Sequence, residues 1–214
     1  MNEEISLGQL VEIGSAQRPK RSDAVANRTL ILETAEKLFA AQGVTKVNMA
    51  EIAQVAGVGK GTLYRRFANK GELCLALMDT QMLEFQNNMI ARMQQLTENQ
   101  TPHIQQLDQF LDALVNFTNR HVPLLCEVQR ERMVQGMRAP QRPHFWQYMT
   151  IKGLLKAAVN NHEISEHLDI DYLADALLAP LRADIFRFQK EARGFSLERI
   201  SAGLRTLVAG LRLL

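Results

Sequence analysis

The sequence predicts an all-α protein: a small N-terminal head of three helices that carries a helix-turn-helix, followed by a larger C-terminal helical bundle. Three observations predict it. Apolar residues recur at the three- and four-residue spacing of a helix face from about residue 25 to the end of the chain. No run alternates as a half-buried strand would, and no fixed-period repeat is present. Glycines and prolines fall largely between the periodic runs, with Pro102, Pro123, Pro140 and Pro143 near expected helix starts.

Composition sets the outer limits. The chain has 214 residues, of which 46% are hydrophobic and 22% charged, enough to bury a core without covalent staples. Cys74 and Cys126 stand far apart with no C-x-x-C pattern, which argues against a zinc site or disulfide framework and fits a reducing compartment. The start, Met1-Asn2-Glu3-Glu4, is acidic where a secretory leader is basic, and no apolar run reaches the ~18 residues of a membrane span. The expected location is the cytoplasm, with no membrane partner.

Residues 1–21 lack periodicity and end in Arg18-Pro19-Lys20-Arg21, read as a tail finishing in a basic arm. Such an arm either enters a minor groove or stays solvated. Ser22 or Asp23 then caps the first helix, whose buried face is Ile31, Ala35, Leu38 and Phe39, and Gly43 supplies a left-handed stop. Asn48 opens a second helix with Glu51 three residues on, an Asn-x-x-Glu variant of the capping box; Ile52, Ala53 and Ala56 form its inner face. Gly57-Val58-Gly59 is a tight turn. Lys60 to Phe67 makes a short third helix anchored by Leu63 and Phe67. Asn69-Lys70-Gly71 interrupts the chain before a long helix from Glu72 towards Gln95. Further helices are expected near 102–121, 123–135, 142–161, 169–191 (bent at Pro180) and 196–213. The domains are therefore a tail, 1–21, a head, 22–71, and a body, 72–214.

Charge follows the same division. From Ala16 to Lys70 ten basic residues face four acids, a net of +6, whereas Gly71 to Leu214 holds 15 basic and 16 acidic residues, a net of −1. A basic head on a near-neutral body fits a phosphate-binding module on a carrier. In residues 48–67 two short helices, the first faced with alanines, meet at a glycine turn, the pattern of a helix-turn-helix whose second helix enters the major groove of DNA. Lys60, Gly61, Thr62, Tyr64 and Arg65 lie on or near its outer side, and Gly61 allows close backbone approach.

Residues 25–85, with I-L-E-T-A-E-K-L-F-A-A-Q-G, M-A-E-I-A-Q-V-A-G-V and K-G-T-L-Y-R-R-F-A-N-K-G-E-L, closely resemble the TetR family of bacterial transcriptional regulators. The resemblance implies that Lys60, Thr62 and Arg65 reach bases or nearby phosphates, that Tyr64 sets its phenol on a phosphate, and that Lys70 grips phosphate at the start of the fourth helix. Arg66 either joins them or faces solvent. Asn48 replaces the usual Thr or Ser at the second helix, and Gly59 replaces the usual Ser or Thr before the recognition helix, so a hydroxyl contact to phosphate is lost there.

The body matches the family only in length and helical character. Leu173, Leu177, Leu181, Ile185 and Phe188 step along one late helix, and Leu197, Ile200, Leu204, Leu207, Leu211 and Leu214 along the last. The resemblance implies a homodimer whose four-helix interface uses these helices; ordinary core accounts for part of each stripe. The middle helices are the candidate sensor. Phe110, Leu114, Phe117 and His121 share one face, Met82, Phe85 and Met89 another, and Phe145, Trp146 and Met149 cluster after Pro143. Methionine and aromatic walls suit an adaptable apolar pocket, and plain core has the same look. The fourth helix runs from Lys70 past Phe85, so a ligand preferring one tilt of it would move the head.

The expected function is a regulator, most simply a repressor, that binds a palindromic double-stranded operator as a dimer and is released by a small, largely apolar effector. An activator, or a ligand-independent architectural DNA-binding protein, shares the head. No enzyme signature competes: His162-Glu163-Ile164-Ser165-Glu166-His167 spaces its histidines five apart where a zinc helix needs four, and no nucleophile elbow, phosphate loop or dinucleotide fingerprint occurs. Neither catalysis nor a cofactor is expected.

Overall fold

The computed structural model describes residues 18–135 and 142–211, with side chains left undescribed at 18–23, 132, 135 and 142–144. Among these residues the secondary structure is helical: α1 Arg18–Gln42, α2 Met49–Val55, α3 Lys60–Arg66, α4 Lys70–Glu98, α5 His103–Gln135, α6 Arg142–Asn160, α7 Ile170–Leu178, α8 Ala183–Glu191 and α9 Leu197–Ala209, with a 3-10 turn Ala179–Leu181 before α8. None of these helices is long and apolar enough to cross a membrane. Two compact units emerge, residues 1–77 and 78–214, the division falling six residues beyond the expected one at 71/72.

The first unit is built around α1. Ile31, Ala35 and Phe39 are buried on one face of it, and they pack with Val44, Val47, Ile52, Ala53, Leu63, Phe67 and Leu73 as the unit's apolar core. Gly43, at φ +85°, takes the left-handed conformation that ends α1, its N–H bonding to the Phe39 carbonyl at 2.9 Å. Asn48 caps α2 as the spacing predicts: its Oδ1 accepts from the Glu51 N–H at 2.9 Å. The Glu51 carboxylate accepts from Gln42 Nε2 at 2.9 Å, tying the start of α2 to the end of α1.

Two boundaries here correct the sequence reading. α1 begins at Arg18, not at Ser22 or Asp23, so Arg18 to Arg21 are helical and not the end of a tail. Proline in the first turn is compatible with that start, because its missing N–H has no intrahelical partner there. Residues 1–17 and the side chains of the basic arm lie outside the described residues. α4 begins at Lys70 and not at Glu72, because Asn69 caps it: its Oδ1 accepts from the Glu72 N–H at 2.8 Å while Glu72 Oε2 accepts from the Ala68 N–H at 2.8 Å.

In the second unit α5 is the central element, packed against α6, α8 and α9. Leu107, Phe110, Leu111, Leu114 and Val115 are fully buried along it, within a core that includes Ile151, Leu155, Leu177, Phe186, Ile200 and Leu204. Two expected helices near 102–121 and 123–135 are one helix of 33 residues with Pro123 inside it. The proline removes an N–H and leaves the Asn119 carbonyl without its helical partner. Burial on both sides of it, at Phe117, Thr118 and His121 before and Glu127 and Val128 after, holds the helix continuous. Pro180 acts more strongly than a bend. The expected helix 169–191 divides into α7 and α8, with Pro180 in the 3-10 turn and Arg182 extended at φ −58°, ψ 138°. The last helix is shorter than 196–213: Ser196 caps α9, its Oγ accepting from the Arg199 N–H at 3.1 Å, and Gly210 follows its end.

Candidate nucleic-acid interface and effector cleft

α2 and α3 owe their arrangement to the turn between them. α2 closes with the Val58 N–H on the Ala53 carbonyl at 3.0 Å and the Gly57 N–H on the Gln54 carbonyl at 3.1 Å. Gly57 sits at φ +66°, a conformation that strains any residue with a Cβ. α3 then starts at Gly59, whose carbonyl accepts from the Thr62 and Leu63 N–H groups at 2.9 and 3.2 Å but which offers no side-chain cap. Leu63 and Phe67 are buried and fix the inner side of α3.

On the outer side Lys60, Gly61, Tyr64, Arg65 and Arg66 are exposed and Thr62 is half-buried. Tyr64 leaves half of its surface open on this side. The seven residues of α3 carry three cations and no acid. Arg65 donates to Thr62 Oγ1 at 3.3 Å, so these two present a paired donor-acceptor edge. A short basic helix of this kind, seated on two apolar anchors beside a steeply joined partner, suits entry into a major groove.

Lys70 is placed differently from what its expected phosphate role suggests. It is only 6% exposed, with its Nζ 5.8 Å from the centre of the Phe39 ring. Arg28 lies similarly over Phe67, at 5.6 Å. Both cations cover aromatic core residues of the head. Asn48 uses its Oδ1 as a cap, leaving its amide nitrogen for other partners.

In the second unit a cleft of about 560 Å³ lies among α4, α5 and α6. Met89, Met93, Trp146, Met149 and Leu154 make its apolar wall; Thr97, Glu98, His103 and Gln106 make its polar end. Of the residues expected to line a pocket, Met89, Trp146 and Met149 do so. Phe110 and Leu114 are instead fully buried in the central core, because α5 is the element on which α6, α8 and α9 pack. Met82 is buried away from the cleft lining, and Phe145 is exposed. Phe85, Phe117 and His121 form a ring stack beside the wall: Phe85 lies 4.6 Å from Phe117, Phe117 lies 4.3 Å from the His121 imidazole, and Phe85 meets Trp146 edge-on at 6.0 Å. His121 Nδ1–H donates to the Phe117 carbonyl at 2.8 Å, and its Nε2 meets the Gln81 side-chain amide at 2.5 Å.

Sequence reasoning missed Met93, Thr97, Glu98 and His103. Continuing the Met82, Phe85, Met89 stripe by one turn and then another would have reached the first two. It also missed the role of Glu163, inside the segment that superficially resembles a zinc helix. That carboxylate caps α5: Oε1 accepts from the His103 N–H and Oε2 from the Ile104 N–H, both at 2.8 Å, and His103 Nδ1 lies 3.0 Å from Oε1. Burial opposes ionisation of Glu163, but these donors outweigh it and hold its carboxyl below the usual carboxylate range.

Residues 31–77 match the model of the bacterial regulatory proteins of the tetR family. Over 178 residues the chain is 28% identical to an HTH-type transcriptional regulator of Staphylococcus aureus (strain bovine RF122 / ET3-1), an alignment covering 83% of this chain and 90% of that protein. The head of the chain carries the TetR-family DNA-binding signature. Solved structures share its fold. A TetR-family regulator from Pectobacterium atrosepticum is 20% identical with a TM-score of 0.61, covering 91% of this chain and 98% of its own. A protein from Saccharomonospora viridis solved in complex with choline is 18% identical with a TM-score of 0.63, covering 85% of this chain and 95% of its own.

The expected pairing stripes divide into three sets. Leu177, Leu181 and Leu204 are buried in the core of their own chain and have no surface left to offer a partner. Leu173 and Leu211 are partly buried against that core. Ile185, Phe188 and Leu207 are exposed, as is Tyr172 on α7. Leu214 lies outside the described residues.

Proposed function

We propose that the chain is a TetR-family regulator, a cytoplasmic repressor that binds an inverted-repeat operator as a homodimer and leaves it when a small, largely apolar effector occupies the cleft beside Trp146. The observation that carries the DNA-binding part is the outer face of α3, three cations and an exposed tyrosine held out by the buried pair Leu63 and Phe67. Lys60, Thr62 and Arg65 read base edges or adjacent phosphates, Tyr64 and Lys70 hold phosphate, and Gly61 lets the backbone close on the duplex. Asn48 and Arg66 contact the flanking backbone.

Pairing is supported by the large apolar side chains left open at Ile185, Phe188 and Leu207. Effector binding is supported by a cleft of a size suited to small ligands and walled by methionines and an indole. A protein of the same fold solved in complex with choline supports this reading. α4 is one helix from Lys70 to Glu98, so an effector that favours one position of its cleft-lining part biases the turns that begin at Lys70.

Selection of genomic fragments by the purified protein, followed by footprinting, tests this reading. It expects enriched DNA with two-fold symmetry; retention of random DNA without a shared sequence would favour an architectural DNA-binding protein instead.

A further inference from the structure

The cleft beside Trp146 has a charge character that its apolar wall does not reveal. Among the described residues that line it none is Lys or Arg, and Glu98 is the one with a formal charge when histidine is neutral. The polar end also adjoins the N-terminus of α5, a 33-residue helix whose free N–H groups would ordinarily welcome an anion. That welcome is already taken. Glu163 accepts from the His103 and Ile104 N–H groups and from the His103 ring, so a carboxylate of the chain itself occupies the anion position. Protonation of His103 does not reverse the sign, because it sums to zero with Glu163 and leaves Glu98. At the other end the Trp146 indole and the thioethers of Met89, Met93 and Met149 offer a polarisable apolar surface for the body of a ligand.

We infer that the cleft selects amphipathic organic cations: an apolar body against Met89, Met93, Met149 and Trp146, and an ammonium group facing Glu98 and the filled helix end. This deepens the reading of the cleft as the effector site and rests on it. Carboxylate or phosphate ligands are disfavoured, since they would meet Glu98 and find the α5 terminus occupied.

Trp146 is the chain's single tryptophan, so its emission reports cleft occupancy directly. The test titrates the full-length protein with phenylbutyl trimethylammonium, with the neutral isostere in which carbon replaces the nitrogen, and with the matching phenylalkyl carboxylate. The cation should bind roughly ten-fold tighter than the isostere and the carboxylate weakest. Glu98→Gln, at an exposed position, should remove most of that preference while leaving the isostere's affinity unchanged. Equal affinity for cation and isostere, a preference for the carboxylate, or a preference untouched by Glu98→Gln overturns the charge inference and leaves an apolar cleft. Failure of all three ligands to alter the emission of Trp146 overturns the effector cleft as well.

Discussion

Lys70 has an observed packing position and a proposed phosphate role, which one substitution would confuse. Its Nζ lies over the Phe39 ring and the residue is nearly buried, yet it begins a helix whose N-terminus favours phosphate. Lys70→Ala removes packing and charge together, whereas Lys70→Met keeps most of the packing. Lys70→Met should therefore fold normally and lower the slope of log K against log salt by about one. An unchanged slope with weakened binding would assign Lys70 to packing alone. Lys60→Ala and Arg65→Ala should each cost roughly 1–3 kcal/mol on operator DNA and relax one position per half-site. Equal losses on operator and random DNA would make both phosphate contacts. Glu163 gives a residue-scale prediction in pH. Its folded carboxyl is held below its unfolded value, so the stability it adds is present above the ordinary carboxylate range and fades as pH falls through the lowered folded value. Glu163→Gln should cost about 1–2 kcal/mol at neutral pH. Melting scans at neutral and strongly acidic pH should show that gap closing in acid; a gap independent of pH would deny the ionised cap.

At the scale of helices, what the sequence revealed depends on whether local signals or packing decide. The α2-turn-α3 unit was legible because every device in it is local: the Asn48 cap, the left-handed Gly57 and the Leu63 and Phe67 anchors lie within 20 residues. Pro123 was misjudged because a proline's local effect is to stop a helix, and only burial on both sides of it shows why α5 continues. The leucine stripes of α7, α8 and α9 were legible as apolar but not as to which side meets which neighbour. Leu204 is 2% exposed and Leu207 55%, though three residues apart on one helix. Leu204→Ala should thus cost roughly 2–5 kcal/mol in the stability of the chain itself. Leu207→Glu should leave the fold intact and split the dimer, because unpaired carboxylates in an apolar seam are costly. Denaturant melts and sedimentation on both variants would separate the two roles. A Leu207→Glu protein that stays dimeric and binds its operator would place pairing elsewhere.

For the whole molecule, the net positive charge sits in the first third of the chain, while the remainder is near neutral and contains the cleft and the exposed Ile185, Phe188 and Leu207. One α3 reads too few base pairs to define a genomic address, so the account depends on two copies acting on one site. Footprinting of the purified protein on a genomic fragment it enriches measures this most directly. The account predicts two protected half-sites related by a two-fold axis, their centres about one helical turn or a multiple of it apart. A single asymmetric footprint, or protection with no sequence shared among enriched fragments, would contradict it.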